Sequence, residues 1–382
     1  MSLPLLPITL VGSWPRRKSL LRAQKAKRRG KLSPAEFQRV ADDEVLRVLA
    51  LQQEAGVDIV TDGEQRRDSF FSFVAEKLKG VQMMTLAEML DIIEDKAGFE
   101  MILQTLDVPA FSISNATCIG PISRRDSLAV DEVRFLKQHT DKPVKVPLPG
   151  PYLLTRGMFV REVTQPHYET KEALGDAVVE ILRGEILELL DQGADFIQFD
   201  EPVLTEVVFT QGQARTFMCA HLAATNDPTQ ELEFAVSLMN RVLDGIDFEA
   251  RGARVGLHIC RGNWSQDEST LLQGSYDPLS SYMQQMNVNQ LVLEYATERA
   301  GDLMEFSRKE LGLGVVNPRT ERVEPVEEIR QNIARALERY PQDQLFINPD
   351  CGFATFSNRP VNSDEIALNK VRAMREAVEP FR

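Results

Sequence analysis

Eight short apolar runs recur along this chain, and between most of them lies a longer stretch in which apolar residues return every three or four positions. The runs are Ile8 to Gly12, Val57 to Asp62, Val144 to Leu148, Phe196 to Asp200, Arg254 to His258, Leu291 to Glu294, Leu313 to Val316 and Leu345 to Asn348. Each has the length and the apolar content of a strand buried on both faces, whereas Ser33 to Ala55 and Lys171 to Gln192 carry the spacing of a helix. Strand alternating with helix builds a parallel sheet, because a parallel neighbour needs a crossover, and eight such units predict a (β/α)8 TIM barrel. The 382 residues are read as one domain, 1–382, with an insertion at about 69–143 after the second strand. Within it FSISNATCIGPIS is strand-like, and a hairpin covering the barrel mouth is expected there.

Composition narrows the function classes. A net charge of -13 argues against general binding of nucleic acid, which needs an excess of Lys and Arg on one face. No run of about 18 apolar residues offers a membrane span. The apolar start MSLPLLPITL lacks a basic region before it and a small-residue cleavage pattern. Four cysteines in so long a chain make no disulfide framework and fit a reducing compartment, so a cytoplasmic protein is expected. One stretch opposes the overall charge: Arg16 to Lys31 holds nine basic residues and no acidic one. It reads as a solvated helix, or as a docking surface for an anionic tail or an acidic partner.

Reactive residues gather at the predicted C-terminal strand ends, the face on which barrel enzymes build their sites. Ser13 follows the first strand, Glu64 the second, Gly150 and Pro151 the third and Asp200 the fourth. His258 and Cys260 end the fifth, Glu294 the sixth, Asn317 follows the seventh and Cys351 the eighth. His258 and Cys260 are two apart in extended chain, so their side chains point the same way and can chelate one ion. With Glu294 and Cys351 at neighbouring ends they make a zinc site, and two thiolates leave the metal soft enough to take a further sulfur. Cys219 and His221 share the spacing of two but fall in a helical pattern, where it diverges around the axis, so they are read as structural, as is Cys118. His139 and His167 have no partner in sequence. Glu64 and Asp200, carboxylates at adjacent strand ends, suit an ammonium group, and the backbone N–H groups after Gly12 suit a carboxylate. Together they describe a pocket for an amino acid.

At these residues the chain resembles the C-terminal catalytic barrel of the cobalamin-independent methionine synthase family. The matching motifs are VGSWPR at 11–16, DGEQRRD at 62–68, PGPY at 149–152, IQFDEP at 197–202, HICRGN at 258–263, the VLE ending at Glu294, and PDCGF at 349–353. The resemblance implies zinc on His258, Cys260, Glu294 and Cys351, and an amino acid held by Ser13, Glu64 and Asp200. It implies that the thiol of homocysteine attacks a methyl group in line with its leaving group. The two-barrel members of that family use an N-terminal barrel to help hold polyglutamylated methyltetrahydrofolate, for which this chain has no room. Two further positions depart from the family: Arg319 stands where the barrel-mouth histidine aligns, and Gly157 where the tryptophan flanking the folate aligns.

The function expected is therefore zinc-dependent methyl transfer to homocysteine, giving methionine, with Asp200, Glu64 and Arg319 at the catalytic centre and Gly12, Ser13, Glu64 and Asp200 on the substrate. An arginine is a poor general acid, so a methylcobamide or a corrinoid protein is one expected donor and methyltetrahydrofolate another, with an accessory protein as a further partner. The alternative is alkyl transfer to a different thiol, as in epoxyalkane:coenzyme M transferase, with Arg319 on the sulfonate. From another class, the chain could sense homocysteine without turnover, or recruit a partner through its basic segment.

Overall fold

The computed structural model describes residues 3–93, 114–209, 227–263, 265–357 and 360–382. Two strands, β1 (Leu78–Thr85) and β2 (Ser114–Arg124), pair antiparallel. Six more, β3 (Lys145–Pro149), β4 (Phe196–Asp200), β5 (Arg254–Ile259), β6 (Gln290–Leu293), β7 (Glu310–Val316) and β8 (Leu345–Pro349), form a parallel sheet in that order. Residues 8–9 and 59–60 complete the ring, because Ile8 bridges Ile347, Thr9 bridges Ile59 and Val60 bridges Val144, all parallel. The hydrogen bonds at these seams are ordinary ladder bonds, such as Thr9 N–H to Ile347 O at 2.9 Å and Lys145 N–H to Val60 O at 2.8 Å. The fold is a (β/α)8 barrel.

Period-two alternation sorts the barrel interior by height. Phe196 begins β4 and packs edge-on to Phe346 of β8 at 6.5 Å, and with Ile59 the pair makes an apolar floor. Gly256 is required beside it, since a Cβ there would lie 2.8 Å from the Phe196 ring. Two residues up β4 comes Gln198, which donates to Val11 O at 3.0 Å and to Asp200 Oδ1 at 2.8 Å. Two further up is Asp200 itself, in register with His258 of β5. Ile59, Phe196 and Phe346 thus sit at the N-terminal end, with the buried Lys145 Nζ over the Phe196 ring at 5.0 Å and donating to Leu10 O at 2.8 Å, and polar residues rise to the C-terminal end.

Helices wrap the ring as the periodicity requires. Pro34–Glu54 begins with a capping box between Ser33 and Glu36 and buries Phe37, Ala41, Val45, Val48 and Gln52, spaced by four and three. The basic stretch forms the helix Lys18–Arg28, which buries only Leu20 and Gln24 and sends Lys27 to Glu76 and Arg28 to Asp68. The β1–β2 hairpin lies within the expected insertion, and its contacts run to the β3–β4 crossover. Asn115 Nδ2 donates to Gly157 O at 2.7 Å, and Cys118 O accepts from Thr164 Oγ1 at 2.8 Å. Gly157 is therefore a packing position under the hairpin, and Cys118 is a buried structural thiol. Cys219 and His221 lie outside the described residues. Among the described residues no helix is long and apolar enough to cross a membrane.

Candidate active site

The C-terminal strand ends open into a cleft. Ser13, Glu64, Asp200, His258, Cys260 and Cys351 line it, so six of the residues singled out above share one space. Phe70, Asn263, Gly352 and Thr355 complete much of the wall. Nothing in strand-end logic points to Asn263, because it lies five residues past His258 in a loop. Its amide nitrogen donates to Gly352 O at 2.6 Å and to Thr355 Oγ1 at 2.8 Å, which ties the β5 loop to the β8 loop.

On one wall, ligating atoms of His258, Cys260 and Cys351 lie within 4.8 Å of one another, and all three residues are buried. His258 Nδ1 meets Asp200 Oδ1 at 3.0 Å, while Nε2 has only Asp350 O at 3.3 Å. A carboxylate on one ring nitrogen fixes the imidazole and leaves the other for an ion. Burial opposes a charge on His258, but the Asp200 hydrogen bond and the nearby Cys260 outweigh it and hold the pKa up at about 9. A hydrogen bond from Cys351 brings Cys260 down to about 7 against the pull of burial, and Cys351, as the donor, is pushed well up. Two sulfurs and an imidazole are donors that suit a soft metal ion.

Glu294, the fourth ligand expected, lies near His258 and Cys260. It stands outside this trio, its carboxylate turned into a ring of three arginines: Arg319 on Oε1, and Arg299 on Oε2 at 3.3 Å with Arg261 Nη1 at 3.6 Å. Arg319 is correspondingly buried and absent from the cleft lining, held by Glu294 and by Gly262 O at 2.7 Å. So engaged, the Arg319 guanidinium faces Glu294 and Gly262 O. The physical reason is a contact across 25 residues that no local pattern announces.

The other wall belongs to Glu64. Gly63 and Glu64 both adopt left-handed backbone, φ 68° and 53°, a strained turn of the kind kept at functional sites. Struts hold it there. Arg16 Nη2 donates to Glu64 O at 2.7 Å, and Trp14 N–H donates to Gly63 O at 3.0 Å. Arg67 pairs with Glu132 and donates to Pro147 O at 2.8 Å. Gly12 makes room for the carboxyl, since a Cβ there would sit 2.4 Å from Glu64 Oε1. Burial, against the pull of Arg67, pushes Glu64 up to about 8, and its Oε2 is buried with no partner. Glu201, beside Asp200 in sequence, does structural work instead: it accepts from Tyr152 N–H at 2.7 Å and Leu153 N–H at 2.9 Å, capping the helix Pro151–Met158. Gly150 is needed for that approach, because a Cβ would lie 2.1 Å from Glu201 Oε1.

Residues 6–379 match the family described as cobalamin-independent synthase, catalytic domain. The chain belongs to that family. It is 30% identical to a methionine synthase of Pyrococcus furiosus over all of this chain and 94% of that one. It is 28% identical to a methionine synthase of Saccharolobus solfataricus over all of this chain and 96% of that one. In three dimensions it superposes on a B12-independent methionine synthase from Shewanella sp. W3-18-1, solved with selenomethionine, with a TM-score of 0.71. That match covers 99% of this chain and 98% of the other at 23% identity, and it shows the shared fold.

Proposed function

We propose that this chain carries out its family's methyl transfer to the sulfur of homocysteine on a zinc ion held by His258, Cys260 and Cys351. One observation carries the reading: the cleft sets two thiols and an imidazole within 4.8 Å of one another and also holds a buried carboxylate oxygen, Glu64 Oε2, without a partner. An amino acid bearing a thiol satisfies both at once. Zinc bound there would supply the Lewis acidity that keeps an incoming thiol as its thiolate at neutral pH.

The chain's own residues bind and orient. Glu64 takes the ammonium group and gives up its proton on doing so, since a cation beside a buried carboxyl favours the charged form. Asp200 spends Oδ1 on His258 and Gln198, which leaves Oδ2 for the same ammonium. The Ser13 hydroxyl and the Ser13 N–H receive the carboxylate, since the next N–H, that of Trp14, is committed to Gly63 O. With the polar end of the substrate fixed, the thiol has one direction in which to extend, toward the sulfur ligands, and that restriction is itself a rate advantage. Burial of the ligands keeps water from competing for the methyl group.

For the donor we propose methyltetrahydrofolate. A family described as cobalamin-independent lends no support to the corrinoid donor expected from Arg319, and that expectation loses its basis once Arg319 is seen paired with Glu294. The coenzyme M reading falls with it, since the cation it relies on does not line the cleft. A cytoplasmic setting accords with the three free, buried thiols among the described residues, Cys118, Cys260 and Cys351.

The test is direct. Purified protein should hold close to one zinc per chain and form methionine from homocysteine and methyltetrahydrofolate. Cys260→Ser and Cys351→Ser should each lose most of the metal and the activity together. Full zinc occupancy in both variants would refute the ligand assignment, and turnover with methylcobalamin alone would refute the donor.

A further inference from the structure

The first barrel strand is short, and its parallel bridges end at Thr9. Beyond it the chain runs through Leu10, Val11 and Gly12 to Ser13 in the cleft, and among the described residues no backbone N–H reaches the carbonyls of the first three. Side chains from inside the barrel take them instead. Lys145 Nζ, from the start of β3, donates to Leu10 O at 2.8 Å, and Gln198 Nε2, from the middle of β4, donates to Val11 O at 3.0 Å. Thr61 Oγ1 donates to Gly12 O at 3.0 Å, and all three donor residues are buried. A peptide unit is planar and trans, so its C=O and N–H point opposite ways, and a bond that holds the one aims the other. Thr61 on Gly12 O thus aims the Ser13 N–H, while Gln198 and Lys145 hold the two peptide planes before it. Donation to a carbonyl also polarises its peptide and makes the N–H on the far side a stronger donor. Burying Lys145 there is unfavourable: it lies over the Phe196 ring, and burial, which the negative charge of Asp200 only partly offsets, brings its pKa down to about 7. An aliphatic side chain would fill the position without that cost, but it could not donate to Leu10 O.

We propose that Thr61, Lys145 and Gln198 are positioning residues of the acceptor site, which together aim the Ser13 N–H at the carboxylate of the incoming amino acid. None of the three lines the cleft, so they act through the backbone of residues 10–13 and not by touching the substrate. From the other side the loop after β8 holds the same segment, where Phe353 N–H donates to Ser13 O at 3.0 Å. The inference rests on the reading of the cleft as an amino-acid site, and it says what makes that site select a carboxylate.

Isothermal titration of the zinc-loaded full chain with homocysteine and with its decarboxylated analogue, aminopropanethiol, tests this. The two acceptors share the thiol and the ammonium group and differ by the carboxylate, so the ratio of their Kd values reports the carboxylate contact, and losses common to both cancel. Wild type should prefer homocysteine by about tenfold or more. Thr61→Val and Lys145→Met keep most of the side-chain volume and remove the donor, and each should cut that preference by about fivefold or more while zinc content stays at the wild-type level. Thr61→Ser keeps the hydroxyl and should stay near wild type. A preference unchanged within about twofold in both Thr61→Val and Lys145→Met would overturn the proposal. The nearly isosteric Thr61→Val decides it even if Lys145→Met does not fold. Equal Kd values for the two acceptors in wild type would remove the amino-acid reading and this inference together, whereas a wild type that selects homocysteine beside variants that select it equally well removes this inference alone.

Discussion

Glu64 combines a strained backbone, a buried carboxyl and an oxygen with no partner, and each of these costs stability in the free protein. Its pKa stands at about 8 in the folded chain against an ordinary 4.5, raised by burial, with Arg67 pulling the other way. Between those values the folded chain keeps a proton that the unfolded chain has lost. The associated stability is full below about pH 4.5 and disappears as pH rises through about 8. Glu64→Gln mimics the neutral form at every pH. Its melting temperature should therefore match wild type near pH 5 and exceed it increasingly toward pH 8 and above, by an amount worth up to a few kcal/mol. Saturating homocysteine should narrow the gap, because its ammonium group rewards the ionised carboxylate. A melting-temperature difference that stays constant from pH 5 to 9 would show that Glu64 is ionised throughout. That Glu64, Asp200, His258, Cys260 and Cys351 share one cleft was readable from sequence, because a residue at the end of a parallel barrel strand has only one face to serve. What Asp200 does was not: it holds His258 Nδ1 from the next strand at 3.0 Å, a contact set by register and not by spacing.

At the scale of elements, β3 to β8 appear within a few residues of the runs that announced them, since strands covered on both faces leave a nearly unbroken apolar signature. The first two runs shorten to bridged pairs at 8–9 and 59–60, where hydrogen bonds to β8 and β3 matter more than length. The loops after the strands were the opaque part, because their shape is set by packing against one another. Gly352 shows how tightly. A Cβ on it would lie 2.1 Å from Ser13 Oγ, which accepts from Ala354 N–H at 3.2 Å, while Gly352 O receives the Asn263 amide at 2.6 Å. Gly352→Ala must turn the Ser13 hydroxyl away or shift the Cys351 loop. We expect a stability loss of roughly 1 to 3 kcal/mol, as for other overpacked sites, and a homocysteine affinity weakened through Ser13. Isothermal titration beside a thermal melt separates the two effects, and an unchanged melt with unchanged affinity would show that the two loops yield more than their contacts imply.

At the scale of the molecule, the proposed metal ligands sit on a ring that closes without them. The seam hydrogen bonds at Thr9, Ile347, Val60 and Lys145 are made by backbone alone, and the apolar floor of Ile59, Phe196 and Phe346 lies at the opposite end of the strands from the cleft. A zinc finger unfolds without its ion because the ion replaces a core, whereas this chain has a continuous core reaching from Leu6 to Val378. Removing the metal with a strong chelator should therefore leave the far-ultraviolet circular dichroism and a cooperative melt in place. It should lower the melting temperature only by the linkage that binding supplies, about 2.7 kcal/mol for free zinc at 100 times its Kd. The loss should be restored by adding zinc back and should grow with the logarithm of zinc concentration. The cleft residues would feel the removal most, because His258 and the two cysteines lose the ion that offsets their mutual crowding, while the hairpin and the outer helices make their contacts elsewhere. Hydrogen exchange should accordingly speed up around residues 258–263 and 350–355 and stay unchanged across β1 and β2. Global unfolding on chelation would mean that the ion holds the barrel closed, and that the seam bonds at 8–9 and 59–60 are too few to do so.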